Sequence, residues 1–143
     1  MEATLTLTNT NTGHRLPTYT TPEIRLIIEQ LDESGEAIDG TQLHTSVARR
    51  ITPNLRKELY DTRLFPGESH TLEYSARRAW NATALHARVE VWPDEAYRRF
   101  YEIKLRKPEN HALGHEMLAQ ALQDSIDSRF VLGETTLPLD AAE

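Results

Sequence analysis

Phe65–Tyr74, FPGESHTLEY, decides the fold because a turn signal runs straight into a strand signal. Pro66 presets φ for the second position of a β-turn. Gly67 supplies the positive φ that the third position of a type II turn demands. From Ser69 to Tyr74 the residues then alternate, with His70, Leu72 and Tyr74 on one side and Thr71 and Glu73 on the other. A period of two is that of a strand with one buried face.

The same grammar repeats on both sides. Thr4–Thr8 reads TLTLT, with Leu5 and Leu7 opposed to the threonines. Asn9, Asn11 and Gly13 break that strand, and Pro17 and Pro22 stiffen the next stretch of chain and exclude helix. Glu23–Leu31 puts Ile24, Leu26 and Ile28 on one face. Ser34-Gly35 sits at the tip of a hairpin connection, and Thr41–Ile51 returns. Pro53 and Asn54 fit the start of a helical turn, and Leu59–Leu64 a short edge strand. Leu85–Val91 alternates again, with Leu85, Ala87, Val89 and Val91 inward and His86, Arg88 and Glu90 outward.

After Trp92-Pro93 the period changes to three or four. One helix is predicted over 94–106, starting near Asp94. A second is predicted over 111–127, capped by Asn110, with Leu113, Met117, Leu118, Ala121, Leu122 and Ile126 as its apolar stripe. Phe130–Leu137 reads as a last strand stopped by Pro138. Strands joined by hairpins rather than crossover helices predict a mainly β fold. The expectation is an immunoglobulin- or fibronectin-like antiparallel β-sandwich with a C-terminal helical appendage and a final strand, as a single domain over residues 1–143.

Composition narrows the function. The formal net charge of -6 disfavours general nucleic-acid binding, which works through clustered Lys and Arg. No run approaches the length of a membrane span. With no Cys the chain has no disulfide, thiol nucleophile or C-x-x-C-H haem attachment, and the redox compartment is left open. There is no G-x-S-x-G, phosphate loop or dinucleotide fingerprint, and no carboxylate is marked by an apolar setting, so a non-catalytic role is expected. The strand-like opening MEATLTLTNT fits a segment cut from a longer polypeptide.

Six His remain as candidates. His111 and His115 are four apart and would share a helix face, a spacing able to hold one ion, although a solvated face explains them as well. His70 reads as a rim residue, and His44 and His86 need no role. His14 has a different backbone setting. Gly13 allows a sharp turn before it and Pro17 stiffens the loop after it, so binding would cost the imidazole little conformational entropy. A neutral ring with one open nitrogen suits iron, zinc or copper.

GHRLPT at 13–18, ELYDTRLFPGES at 58–69, ARVEVWPDEAYRRFYE at 87–102 and LAQALQDSIDSRFVLGETTLPL at 118–139 give the chain a resemblance to the non-haem β-rich domain of multihaem cytochromes c, over about residues 9–139. The resemblance implies an accessory domain of an electron-transfer protein, periplasmic or extracellular, packed on a haem-bearing region or subunit. It implies His14 as a distal ligand to a haem c carried by a neighbouring segment or chain. Around that haem Arg15, Pro17 and Tyr19 are candidate contacts, with Arg98 and Arg99 able to pair with propionates and Tyr97, Phe100 and Trp92 able to pack on the ring edge. On the plainer reading the arginines are surface residues and most of the aromatics belong to the domain's own core. The alternative is an adhesion or assembly module without a redox role, using an edge strand or the Met117/Leu118 helix.

Overall fold

Seven strands and two helices are seen in a computed structural model that describes residues 1–10, 12–52, 54–107 and 114–140. They are β1 (Glu2–Thr8), β2 (Glu23–Leu31), β3 (Leu43–Ile51), β4 (Glu58–Asp61), β5 (Ser69–Ser75), β6 (Ala84–Trp92), α1 (Glu95–Leu105), α2 (His115–Asp127) and β7 (Phe130–Pro138). Two sheets form, both antiparallel: β1-β5 and β4-β3-β2-β6-β7. The larger has the order C″-C′-C-F-G of an immunoglobulin variable-type sandwich, and β1 and β5 stand where strands B and E would. No described segment occupies the place of strand A.

The turn at Phe65–Glu68 forms as its residues require. Glu68 N–H donates to the Phe65 carbonyl at 2.9 Å, and Gly67 has φ 85°. At the β2–β3 connection Gly35 has φ 82°, and one oxygen of Asp32 accepts from the Ser34 N–H, the Ser34 hydroxyl and the Glu36 N–H.

The core lies between the sheets. Ile24, Leu26 and Ile28 of β2, Val47 of β3, Leu72 and Tyr74 of β5 and Leu85 of β6 meet there, joined by Leu64. β1 lies over β2, and β5 lies over β2 and β3. Because two strands cover five, the flanks of the large sheet are open. All nine residues of β7 are exposed.

Three expectations need correction. First, the outer face of β6 is not a plain solvated face. Glu90 is 8% exposed there, and Glu23, Ile27 and Glu29 of neighbouring β2 are 4% exposed. Charged side chains pair over this face: Arg25 and Arg50 on Glu23 with Glu95 of α1 joining them, and Arg88 on Glu29 and Glu90. Second, the three-and-four recurrence of Ala96, Tyr97, Phe100, Ile103 and Lys104 does not mark the face of α1 turned to the sheet: Glu95 is buried, whereas Tyr97 and Phe100 are exposed. Third, the second helix does not run unbroken from 111. Gly114 is left-handed, φ 76°, and caps a helix beginning at His115. Leu118, Ala121, Leu122 and Ile126 are half-buried in α2, which packs on α1, but Met117 is exposed. The roles read for Asn11, Pro53, Asn110, His111 and Leu113 fall outside the described residues.

Candidate functional site

The loop from Asn9 to Pro22 leaves β1 and enters β2 at one end of the sandwich. Asn9 organises it from inside. Its side chain is almost wholly buried, and its amide donates to the His14 carbonyl at 3.0 Å and to the Leu64 carbonyl at 3.0 Å. Its side-chain oxygen accepts from the Thr12 hydroxyl, which is also placed to donate to the His14 carbonyl at 2.9 Å. Leu16 and Leu64 exchange two backbone hydrogen bonds of 2.9 Å, which staples the loop to the segment after β4. The Leu16-Pro17 peptide is cis.

A second clamp is ionic. Arg63 makes two bonds to the Asp61 carboxylate, 2.9 and 2.7 Å, and a third to the Thr18 carbonyl at 3.0 Å. Arg15 meets the same carboxylate at 3.0 Å, with its guanidinium 3.9 Å from the Phe65 ring centre. The Arg63 hydrogen bonds hold the Asp61 carboxyl down at about 2, further helped by the Arg15 charge and against the effect of burial.

His14 is exposed at the top of this framework. Its Nδ1 lies 3.0 Å from the Arg15 carbonyl and 3.1 Å from the Thr18 hydroxyl. A carbonyl only accepts, so Nδ1 carries the proton. In the neutral ring Nε2 is then the nitrogen with the lone pair, and it has no hydrogen-bond partner among the described residues. The buried Asn9 gives a direct test of this scaffold. Asn9→Ala removes the buried amide that serves the His14 and Leu64 carbonyls and is expected to lower stability by about 2 kcal/mol, read by urea unfolding, while proteolysis at the 9–22 loop accelerates.

The remaining contacts expected around a haem are dispersed. Pro17 is buried in the loop, and Tyr19 is 73% exposed just beyond it. Arg98 is tied to Glu95 and Glu102. The Trp92 indole donates to Glu90 at 3.0 Å and lies beneath the guanidiniums of Arg25, Arg98 and Arg129. Tyr97, Phe100 and Tyr101 line a groove of about 430 Å³ with Ile51, Leu55 and Arg99, between α1 and the β3–β4 turn.

Sequence reading missed the polar outer face. Glu23 accepts from Arg25 at 2.8 Å, Ser46 at 2.8 Å and Arg50 at 2.6 Å. Glu95 of α1 meets Arg25 of β2 at 3.2 Å and Arg50 of β3 at 3.7 Å, so these ion pairs bolt the helix to the sheet, and Arg98 of the same helix steadies Glu95 at 2.7 Å. Further along, Glu29 contacts Arg88, Gln42 and His86, and His86 also reaches Glu134 at 3.1 Å. Burial pushes the carboxyls of Glu23, Glu29 and Glu90 up, but their arginine and hydrogen-bond partners outweigh it and hold all three below the ordinary value. Glu23 and Arg25 lie two apart on one strand face, as do Arg88 and Glu90, and that spacing was the available signal. His70 is a rim residue bonded to Thr45 at 2.9 Å. No group of three or more potential metal ligands occurs among the described residues.

No protein-family profile and no curated protein matches the chain. Among solved structures, the chain is similar to a penta-heme cytochrome c552 from Thermochromatium tepidum, with a TM-score of 0.63 and 18% sequence identity. The likeness covers 96% of this chain and 36% of that one. At this identity it is a likeness of fold: nearly all of this immunoglobulin-like sandwich, helical hairpin included, has a counterpart within a longer multihaem cytochrome.

Proposed function

We propose that the chain is a non-catalytic accessory domain of a multihaem c-type cytochrome, periplasmic or extracellular, that packs on a haem-bearing region and offers His14 to a haem iron held there. The observation that carries this reading is the open Nε2 of His14 on a loop fixed from three sides, by Asn9, by the Leu16–Leu64 staple and by the Asp61–Arg63 clamp. The donor set fits the group: a neutral imidazole whose other nitrogen is anchored to a backbone carbonyl is the usual form of a histidine ligand. The fold shared with part of a penta-heme cytochrome supports the choice of iron in haem over other metals.

Within this reading, a bound haem would supply the electron-transfer chemistry, and the His14 imidazole would be one of its iron's ligands and help set its potential. The residues of this chain hold and orient that ligand. Arg15 is already engaged by Asp61, so it stiffens the loop. Arg99, for which no ion pair is seen among the described residues, is the cation left open for a propionate. The exposed aromatic groove beside α1 offers apolar surface for packing on the partner.

The test uses a ferric haem octapeptide with one open axial position. Adding the chain is expected to convert its high-spin visible and EPR spectra to low-spin ones, and His14→Ala to abolish the conversion. Identical spectra with the two chains would overturn the ligand assignment.

A further inference from the structure

The small sheet has an unfilled side. Met1 and Ala76 exchange two backbone hydrogen bonds, 2.8 and 3.1 Å, and the Asn9 N–H donates to Glu68 at 2.9 Å. In an antiparallel ladder, bonded pairs alternate with non-bonded ones. With the register Glu2↔Ser75 to Thr8↔Ser69, the odd residues of β1 therefore bond to β5. Glu2, Thr4, Thr6 and Thr8 turn their N–H and C=O groups away from it. The side chains agree: Thr6 meets Thr71 at 2.9 Å and Thr8 meets Ser69 at 2.8 Å, the closer approach of non-bonded pairs.

Beyond this edge lies an apolar floor. β6 and β7 extend past β1 with no strand above them among the described residues. Val89 and Val91 face the core side there and are only half-buried. Phe130, paired with Val91, and Leu137, paired with Leu85, are 50% and 54% exposed. An open row of backbone donors beside an uncovered apolar floor is the place strand A takes in a complete immunoglobulin sandwich.

We propose that this slot receives one extended polypeptide segment from outside residues 1–143, added antiparallel to β1, with alternate apolar residues set down on Val89, Val91, Phe130 and Leu137. A helix or a small molecule would leave the backbone row unbonded. A second folded copy cannot pair there edge to edge, because its own β6 and β7 would project under the joint and collide with the first pair. Charge supplies a further feature. Glu2 and Glu73 lie at one end of the exposed surface of the small sheet, so the segment carries a basic residue at that end. The likeness to part of a longer solved chain agrees with this fold working beside further polypeptide. The inference does not depend on haem or on His14. It names a second contact by which the domain is joined to its partner.

The test uses the 143-residue chain and, as probe, a synthetic heptapeptide of alternating valine and threonine with a lysine at each end. Amide hydrogen exchange is followed by NMR. Alone, the amides of Thr4, Thr6 and Thr8 are expected to exchange fast and those of Leu5 and Leu7 slowly. With the peptide, exchange at the three threonines slows at least roughly tenfold, while Leu5 and Leu7 are unchanged. The same peptide with proline at its centre leaves the threonines fast, and in Thr6→Pro, whose fold is checked by circular dichroism, the original peptide leaves Thr4 and Thr8 fast. No slowing at the threonines, or slowing confined to the outer edge of β7, overturns the proposal.

Discussion

Leu26→Ala is expected to lower the unfolding free energy by about 3 kcal/mol or more, the usual cost of cutting a fully enclosed leucine to a methyl. Leu26 has no exposed surface and sits in the central strand of the five-stranded sheet, facing the core between Ile24 and Ile28. Its neighbours are held by ladders on both sides, so the backbone cannot collapse into the space. For a chain of this length the melting temperature should fall by roughly 10 °C. Urea unfolding followed by circular dichroism checks the first figure and a thermal melt the second. A loss under about 1 kcal/mol would mean that the two sheets are not closely packed.

Glu23→Ala should be nearly as damaging, by a different route. Glu23 is buried and is met by both Arg25 and Arg50, so its removal leaves two guanidiniums facing each other with Glu95 alone to balance them. Breaking a buried ion pair on one side costs about 3–5 kcal/mol. Here the arginine side chains keep 21% and 27% of their surface, so water returns to them and about 2 kcal/mol is the expected loss. A pH signature accompanies it. The folded-state carboxyls of Glu23, Glu29 and Glu90 lie below their ordinary value of 4.5. On acidification the unfolded chain therefore takes up protons first. The stability these groups give is full above about that value and drains away as pH falls through the depressed ones. Glu23→Ala should flatten this acid limb. An equally steep acid limb in the variant would remove Glu23 from the account.

Much of the sandwich was legible because strand alternation reports its buried face directly. Leu72 and Tyr74 face the core as their spacing requires, and so do Ile24, Leu26 and Ile28. Alternation cannot report what covers the other face. Ile27 lies between His44 and Arg88 in register, buried on the side opposite the core. Only the arrangement of α1 and the arginines reveals that. Helix orientation was lost for a related reason. The three-and-four spacing of Ala96, Tyr97, Phe100 and Ile103 suggests a buried face, yet Glu95 pairs with Arg25 and Arg50 of the large sheet and holds the opposite face to it, while Arg98 bridges Glu95 and Glu102 within the helix. At the loop, the glycine and proline flanking His14 marked its rigidity. The residue that holds it, Asn9, reads in sequence as an ordinary turn former; a buried amide and an exposed one are written with the same letter.

The two tryptophans stand in opposite surroundings. Trp80 is 97% exposed, while Trp92 lies beneath three guanidiniums at the joint between α1 and the large sheet. The intrinsic emission of the chain therefore has two separable parts. Trp80 gives a red-shifted signal, readily quenched by iodide, that barely notices folding. Trp92 gives a shielded one that changes when the helix leaves the sheet. A haem drawn up against α1 would extinguish the second more than the first, so the protein carries its own optical ruler for the approach of a partner.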